Sequence, residues 1–128
     1  VKKVTVIGGG IAGIEAAIFC RKEGFEVELI SDRTYLFIYP IAIWIPVSTL
    51  SFEEAKMSLS TLAEKHGFSL TVDTVTAIHA DTKTLTLEKG GIRIEEILII
   101  ATGSGKMRHP GLEHTLSICG TPEQSLQL

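Results

Sequence analysis

Two glycine-bearing stretches hold the residue types whose spacing could do chemistry. VIGGGIAG puts Gly8, Gly10 and Gly13 in a G-x-G-x-x-G spacing directly after the run Lys3 to Ile7, and LIIATGSG puts Thr102 and Gly103 after the run Ile97 to Ala101. Three glycines so spaced supply a tight turn, a main chain without Cβ where a pyrophosphate must come close, and room for a helix to pack on its strand. The first helical turn, with Ile11 and Ala12, would then offer its amides to the phosphates. Such a spacing has weight only when a strand precedes it and a helix follows.

Both flanks meet that condition. Lys3 to Ile7 alternates and then fills with β-branched residues, as a strand buried on both faces does. Ile14, Ala17, Ile18 and Cys20 give the apolar face of a helix over Ile11 to Glu23, and Gly24 sits where a left-handed stop is expected. Glu26 to Ser31 reads as the second strand, completing a βαβ unit. An acidic residue at the end of that strand would bind the adenosine ribose. The count falls on Ser31, with Asp32 next, so either the Asp32 carboxylate or the Ser31 hydroxyl takes that role, and Arg33 leaves a 2′-phosphate, hence NADP, open.

Thr34 to Phe52 carries no charge over nineteen residues. Pro40 and Pro46 each remove an amide donor, which argues against a membrane span. Two readings stay open: a loop packed into the core, or one lining an apolar pocket with Tyr39, Pro40 and Trp44 near a bound ring system. Ser51-Phe-Glu-Glu54 matches a capping box, predicting a helix from there through Ala55, Leu59, Leu62 and Ala63 to a stop at Gly67. Beyond Phe68 the period becomes two. Leu70 to Val72 is a strand, and Val75 to His79, Leu85 to Leu87 and Ile92 to Ile94 form a meander turning at 81–83 and 89–91, an antiparallel insertion over about 74–95. Ile97 to Ala101 has the composition of a fully buried parallel strand. An open α/β sheet results, with ligands bound beyond the carboxyl ends of its strands, so Gly8 and Gly103 should share one rim. Gly103-Ser-Gly-Lys106 is not a P-loop, because Ile100 and Met107 stand where that motif needs Gly and Ser or Thr.

The totals exclude several classes. Hydrophobic residues at 45% and charged ones at 21% exclude disorder, and 128 residues suit one domain. A net charge of -3 gives no footprint for nucleic acid. His66, His79, His109 and His114 have no metal-ligand spacing. Cys20 and Cys119 are the only cysteines, and no basic, apolar leader opens the chain, so a reducing, cytoplasmic setting is expected.

With both turns placed, the chain resembles the amino-terminal part of the FAD-dependent pyridine nucleotide-disulfide oxidoreductase superfamily. VIGGGIAGIEAA, the meander and ILIIATGSG are similar to that family's FAD fingerprint, crossover sheet and ATG turn. The resemblance covers essentially the whole chain. It implies a Rossmann-like FAD/NAD(P)-binding fold, a parallel sheet with an inserted antiparallel β-meander, and FAD contacts at Gly8, Gly10, Gly13, Ser31 or Asp32, Thr102 and Gly103. Residues 34–52 lack the redox cysteines of the disulfide reductases, whereas an aromatic, proline-bearing stretch after the second strand resembles the sulfide:quinone oxidoreductase and type II NADH dehydrogenase branch. LSICGTPEQ is similar to the segment carrying the first redox cysteine of sulfide:quinone oxidoreductases, which would make Cys119 catalytic.

Enzymes of that family are about three times as long. Residues 1–128 are therefore expected to be one partial FAD-binding domain, inactive alone, without the NAD-type domain and carboxy-terminal region. The expected activity of the complete enzyme is electron transfer from sulfide or NAD(P)H through FAD to a quinone-type acceptor, with membrane contact only through regions beyond this chain. The rival reading is a stand-alone NAD(P)-binding or sensing module without catalysis.

Overall fold

β-Branched residues and alternation place Lys3–Ile7 (β1) at the heart of a four-stranded parallel sheet, between Glu26–Ser31 (β2) and Ile97–Ile100 (β9). Ser69–Val72 (β5) closes the other side of β2, and the order is β5-β2-β1-β9. The computed structural model describes residues 1–105, 109–116 and 121–128. The chain forms two units, Val1–Leu36 with Ser58–Gly103, and Phe37–Met57 with Ser104–Leu128.

The sheet's two faces have different chemistry. In register, Val4 pairs with Val27 and Val6 with Leu29, and these four pack on Ile14 and Ala17 of Ile11–Lys22 (α1) and on Leu59 and Ala63 of Leu59–His66 (α2). The opposite face carries Lys3, Thr5, Ile7, Glu28 and Ile30, because side chains alternate along a strand. An antiparallel meander of Val75–His79 (β6), Thr84–Leu87 (β7) and Gly91–Ile94 (β8) joins β5 to β9. Toward the carboxyl end its Leu85, Leu87 and Val75 pack on Ile7, Ile30 and Leu98. Toward the amino end the contact is ionic.

Glu28, only 8% exposed, accepts hydrogen bonds from the two terminal guanidinium nitrogens of Arg93 at 3.0 and 2.5 Å and from the Thr71 hydroxyl. The Lys3 ammonium lies 2.7 Å from the same carboxylate. Arg93 also pairs with buried Glu95 at 3.1 Å, and Thr5 donates to Glu95. The Arg93 bond lowers the Glu28 pKa, burial opposes it, and Lys3 and Thr71 lower it further, from 4.5 to about 2.

Helix ends follow their capping chemistry. α1 stops where Gly24 takes φ +89° and Phe25 donates to the Cys20 carbonyl at 3.0 Å. The capping box forms as a pair of bonds, Ser51 amide to Glu54 Oε2 at 2.7 Å and Glu54 amide to Ser51 Oγ at 3.2 Å. The helix expected from it does not follow. One 3-10 turn, Glu53–Ala55, leads into the extended Lys56–Ser58 (β4), and α2 begins at Leu59, where Ser58 Oγ accepts from the Thr61 amide. Ser58 acts as a second cap and restarts the helix, and Gly67 at φ +77° ends it as expected. β9 also departs from expectation: it lies at the sheet's edge, and Ile97 and Ile100 are 37% and 58% exposed rather than buried.

The uncharged stretch, which belongs to the second unit from Phe37 on, is largely turns. Tyr35–Phe37 (β3) leads into it, Tyr39–Trp44 forms a 3-10 segment with Pro40 in its first turn, and Ala42 and Ala55 are buried. Phe37 packs edge-on against Tyr39 at 4.8 Å, while Ile43, Trp44 and Val47 are exposed. Among the described residues no helix is long and apolar enough to cross a membrane.

Removing one partner of a buried ion cluster strands the others, so Arg93→Met is expected to cost about 2–4 kcal/mol, read by denaturant unfolding at pH 7. Glu28 has a lower pKa folded than unfolded, so its contribution is complete above pH 4.5 and fades as pH falls toward about 2. Wild-type stability should drop across that window, and the Glu28→Gln variant should lose less of its own stability there.

Candidate functional site

β1 ends at Ile7, and the chain turns at Gly8 with φ +112°, its amide donating to the Ile30 carbonyl at 2.8 Å. A Cβ on Gly8 would lie 2.1 Å from the Ala101 carbonyl oxygen, and one on Gly13 would lie 1.8 Å from the Gly8 oxygen. The end of β1, the first turn of α1 and the end of β9 therefore meet main chain to main chain. Ala101 reinforces the junction by donating to the Ile7 carbonyl at 2.8 Å. Gly10 behaves differently. It caps α1 at φ -84°, and a Cβ there would meet nothing within 4 Å.

Two of the fingerprint glycines thus serve the protein's own packing, while the middle one keeps its outer side clear. No side chain caps α1, and its first turn has no acidic residue. The first helical bond runs from the Ile14 amide to the Gly10 carbonyl at 3.0 Å, so the amides of Ile11, Ala12 and Gly13 lack intrahelical acceptors. Ile11 and Ala12 are exposed and Gly13 is buried.

Ser31 and Asp32, alternatives by count, occupy different settings. Ser31 is buried, and its Oγ accepts from the Arg33 amide at 3.1 Å. Asp32 is exposed, and its carboxylate takes no hydrogen bond or ion pair among the described residues. Arg33 is half-buried. Thr102 and Gly103 follow β9 on the same rim, both exposed, with Gly103 at φ +74° and open space where its Cβ would be. Cys119 lies outside the described residues.

Two residues that the spacing did not single out shape this rim. A Cβ on Gly9 would come 2.4 Å from Ser31 Oγ and 2.9 Å from Leu59 Cδ1, so the second glycine of the GGG run is crowded by side chains, where Gly8 is crowded by main chain and Gly10 is open. Asp73, buried just beyond β5, accepts from the amides of Thr74, Lys89 and Gly90. Burial raises its pKa, and these amides more than offset that, leaving it below the usual carboxylate value. An Asp-Thr pair at a strand end opposite a Lys-Gly-Gly turn was the available signal.

This rim suits an adenine dinucleotide. The uncapped helix start and the clear side of Gly10 fit a diphosphate, and a carboxylate without partners fits a ribose hydroxyl.

The sequence pattern of the pyridine nucleotide-disulphide oxidoreductase family matches residues 2–126. A sulfide-quinone reductase of Aquifex aeolicus is 31% identical over 130 residues, taking in 98% of this chain and 30% of that protein. The crystal structure of the sulfide:quinone oxidoreductase from the same bacterium superposes with a TM-score of 0.90, covering 99% of this chain and 30% of that one. NDH2 of Plasmodium falciparum, solved in complex with NADH, shares the fold at 18% identity and a TM-score of 0.85, over 98% of this chain and 27% of that one. The chain spans about 30% of the length of the curated relative it matches.

The glycine geometry separates folding from binding. Gly8→Ala and Gly13→Ala should each destabilise by about 3 kcal/mol or more, through main-chain collision and, at Gly8, a positive φ. Gly10→Ala should stay within about 1 kcal/mol of wild type. Thermal melts of the three variants check this ordering.

Proposed function

From its membership of the pyridine nucleotide-disulphide oxidoreductase family, whose members are flavoprotein oxidoreductases, we propose that this chain holds the adenosine diphosphate half of FAD at the rim bounded by Gly10, Asp32 and Gly103. The observation that carries the proposal is Gly10. It stands at an uncapped helix start, with clear space where any other residue would put a side chain. When bound, FAD would supply the redox chemistry, passing electrons from a donor to an acceptor.

The chain's own part is to bind and orient. Gly8 and Gly13 draw β1 and α1 together so that the amides of Ile11, Ala12 and Gly13 are set toward the diphosphate. Asp32 accepts from the ribose hydroxyl in preference to Ser31, whose oxygen already serves the Arg33 amide. Thr102 and Gly103 complete the rim, Thr102 with a hydroxyl and Gly103 with main chain free of Cβ. Arg33 is the residue beside which a 2′-phosphate would rest.

In a protein as long as the relatives, we propose sulfide as the donor and a quinone as the acceptor. The 31% identity to a sulfide-quinone reductase supports this over NAD(P)H. Sulfide is the nucleophile, so Cys119 would take it up from a disulfide made with a cysteine beyond this chain, the attacked S–S bond breaking to release the other sulfur as a thiolate. Cys119→Ser should abolish sulfide oxidation in that protein, and unchanged turnover would remove the thiol from the reaction.

Calorimetric titration with FAD, NADH and NADPH tests the cofactor. FAD should bind tightest, with Gly10→Ala and Asp32→Asn each weakening it by about tenfold or more, the scale of one charge-assisted contact. Tighter binding of NADH would overturn the flavoprotein reading in favour of a nucleotide-sensing module.

A further inference from the structure

Three hydrogen bonds decide where Asp32 can be. The peptide before it is held because the Ser31 carbonyl accepts from the Asp73 amide at 2.9 Å, and the peptide after it is held because the Arg33 amide donates to Ser31 Oγ at 3.1 Å. One residue upstream, the Ile30 carbonyl is taken by the Gly8 amide at 2.8 Å. Asp32 is therefore a single exposed residue between two anchored peptide planes, which fixes its φ and ψ without any contact to its carboxylate. Two of these anchors come from the glycine turn and from Ser31 itself. The third comes from Asp73, which the cofactor fingerprint does not include.

Asp73 can hold that peptide only if it is immobile itself, and its side chain provides for this. Oδ1 accepts from the Thr74 amide at 2.7 Å, Oδ2 from the Gly90 amide at 2.9 Å, and both oxygens face the Lys89 amide at 3.2 and 3.3 Å. All three donors are main chain, so no rotamer change releases them. Gly90 allows the approach: a Cβ there would lie 3.0 Å from Leu87 Cδ1 and 3.3 Å from Asp73 Oδ2. The Glu88 amide donates to the Thr74 carbonyl at 2.9 Å, tying the turn after β7 to the same corner.

We propose that Asp73 is a positioning residue for adenine dinucleotide binding: its carboxylate locks the turn between β7 and β8 onto the end of β5, and its amide, so fixed, sets Asp32 where it accepts from the ribose 2′-hydroxyl. This rests on the cofactor reading above. It gives the meander a role in the site, since the residues that immobilise Asp73 come from the meander's turn rather than from the parallel sheet.

The test compares ADP with 2′-deoxy-ADP on the whole chain by calorimetry. Wild type should prefer ADP by about tenfold, the scale of a hydrogen bond to a charged acceptor. Asp32→Asn should reduce that ratio to near one. Asp73→Asn should reduce it to about twofold or less, and the double variant should lose no more than Asp32→Asn alone. Arg93→Met loosens the same meander at its far end and should keep the wild-type ratio, so general destabilisation and lost positioning give different answers. A wild-type ratio retained in Asp73→Asn would overturn the inference.

Should Asp73→Asn fail to fold, amide exchange in the wild type decides the question. ADP should slow exchange at Lys89 and Gly90 by about tenfold more than 2′-deoxy-ADP does. Equal protection by the two ligands would overturn the inference. Failure of wild type to bind ADP at all would instead bring down the cofactor reading, and this inference with it.

Discussion

The structure turns on an approach of bare main chain: the Gly8 carbonyl oxygen lies where a Cβ on Gly13 would be, and the Ala101 carbonyl where a Cβ on Gly8 would be. At the glycine turn β1, α1 and the end of β9 meet main chain to main chain. An L-residue at 13 would force the helix, and with it the amides at its start, off the strand, and one at 8 would push away the end of β9. The contact also joins two parts of the chain about ninety residues apart, which is why two glycine-bearing turns, each unremarkable alone, belong to one rim.

The parallel sheet is dry on its helical face and divided on its meander face. Below the rim, Ile7, Ile30 and Leu98 meet Leu85 and Leu87. At the far end the meander is held by Glu28, Arg93, Lys3 and Glu95. An ionic cluster of this kind adds little net stability compared with a packed apolar one, but it disfavours a slipped register, because sliding β8 by one residue would turn Arg93 away from Glu28.

Local signals read well from the sequence, and signals needing a distant partner did not. The strand, glycine turn and helix, the stops at Gly24 and Gly67 and the meander turns each rest on neighbouring residues, and they are where periodicity put them. The capping box shows the limit of such reading. Ser51 and Glu54 bond as the pattern requires, yet Ala55 and Leu59, which look like successive positions on one helical face, are buried in different units with an extended segment between them. Two cores can share one period. Glu28 was silent because its guanidinium partner lies 65 residues away, and Asp73 because the amides it holds lie 16 and 17 residues on. β9 has interior composition at an edge position, which no count of apolar residues distinguishes.

The meander's two turns live under different rules. The one at 80–83 is exposed, closed by a bond from the Lys83 amide to the Ala80 carbonyl, and has no link to the rim. The one at 88–91 is stitched to a buried carboxylate. Lineages of this fold are thus free to lengthen, decorate or shorten the first hairpin, while the second must keep its length, and an engineer wishing to attach a reporter has a permissive end and a forbidden end on the same small sheet.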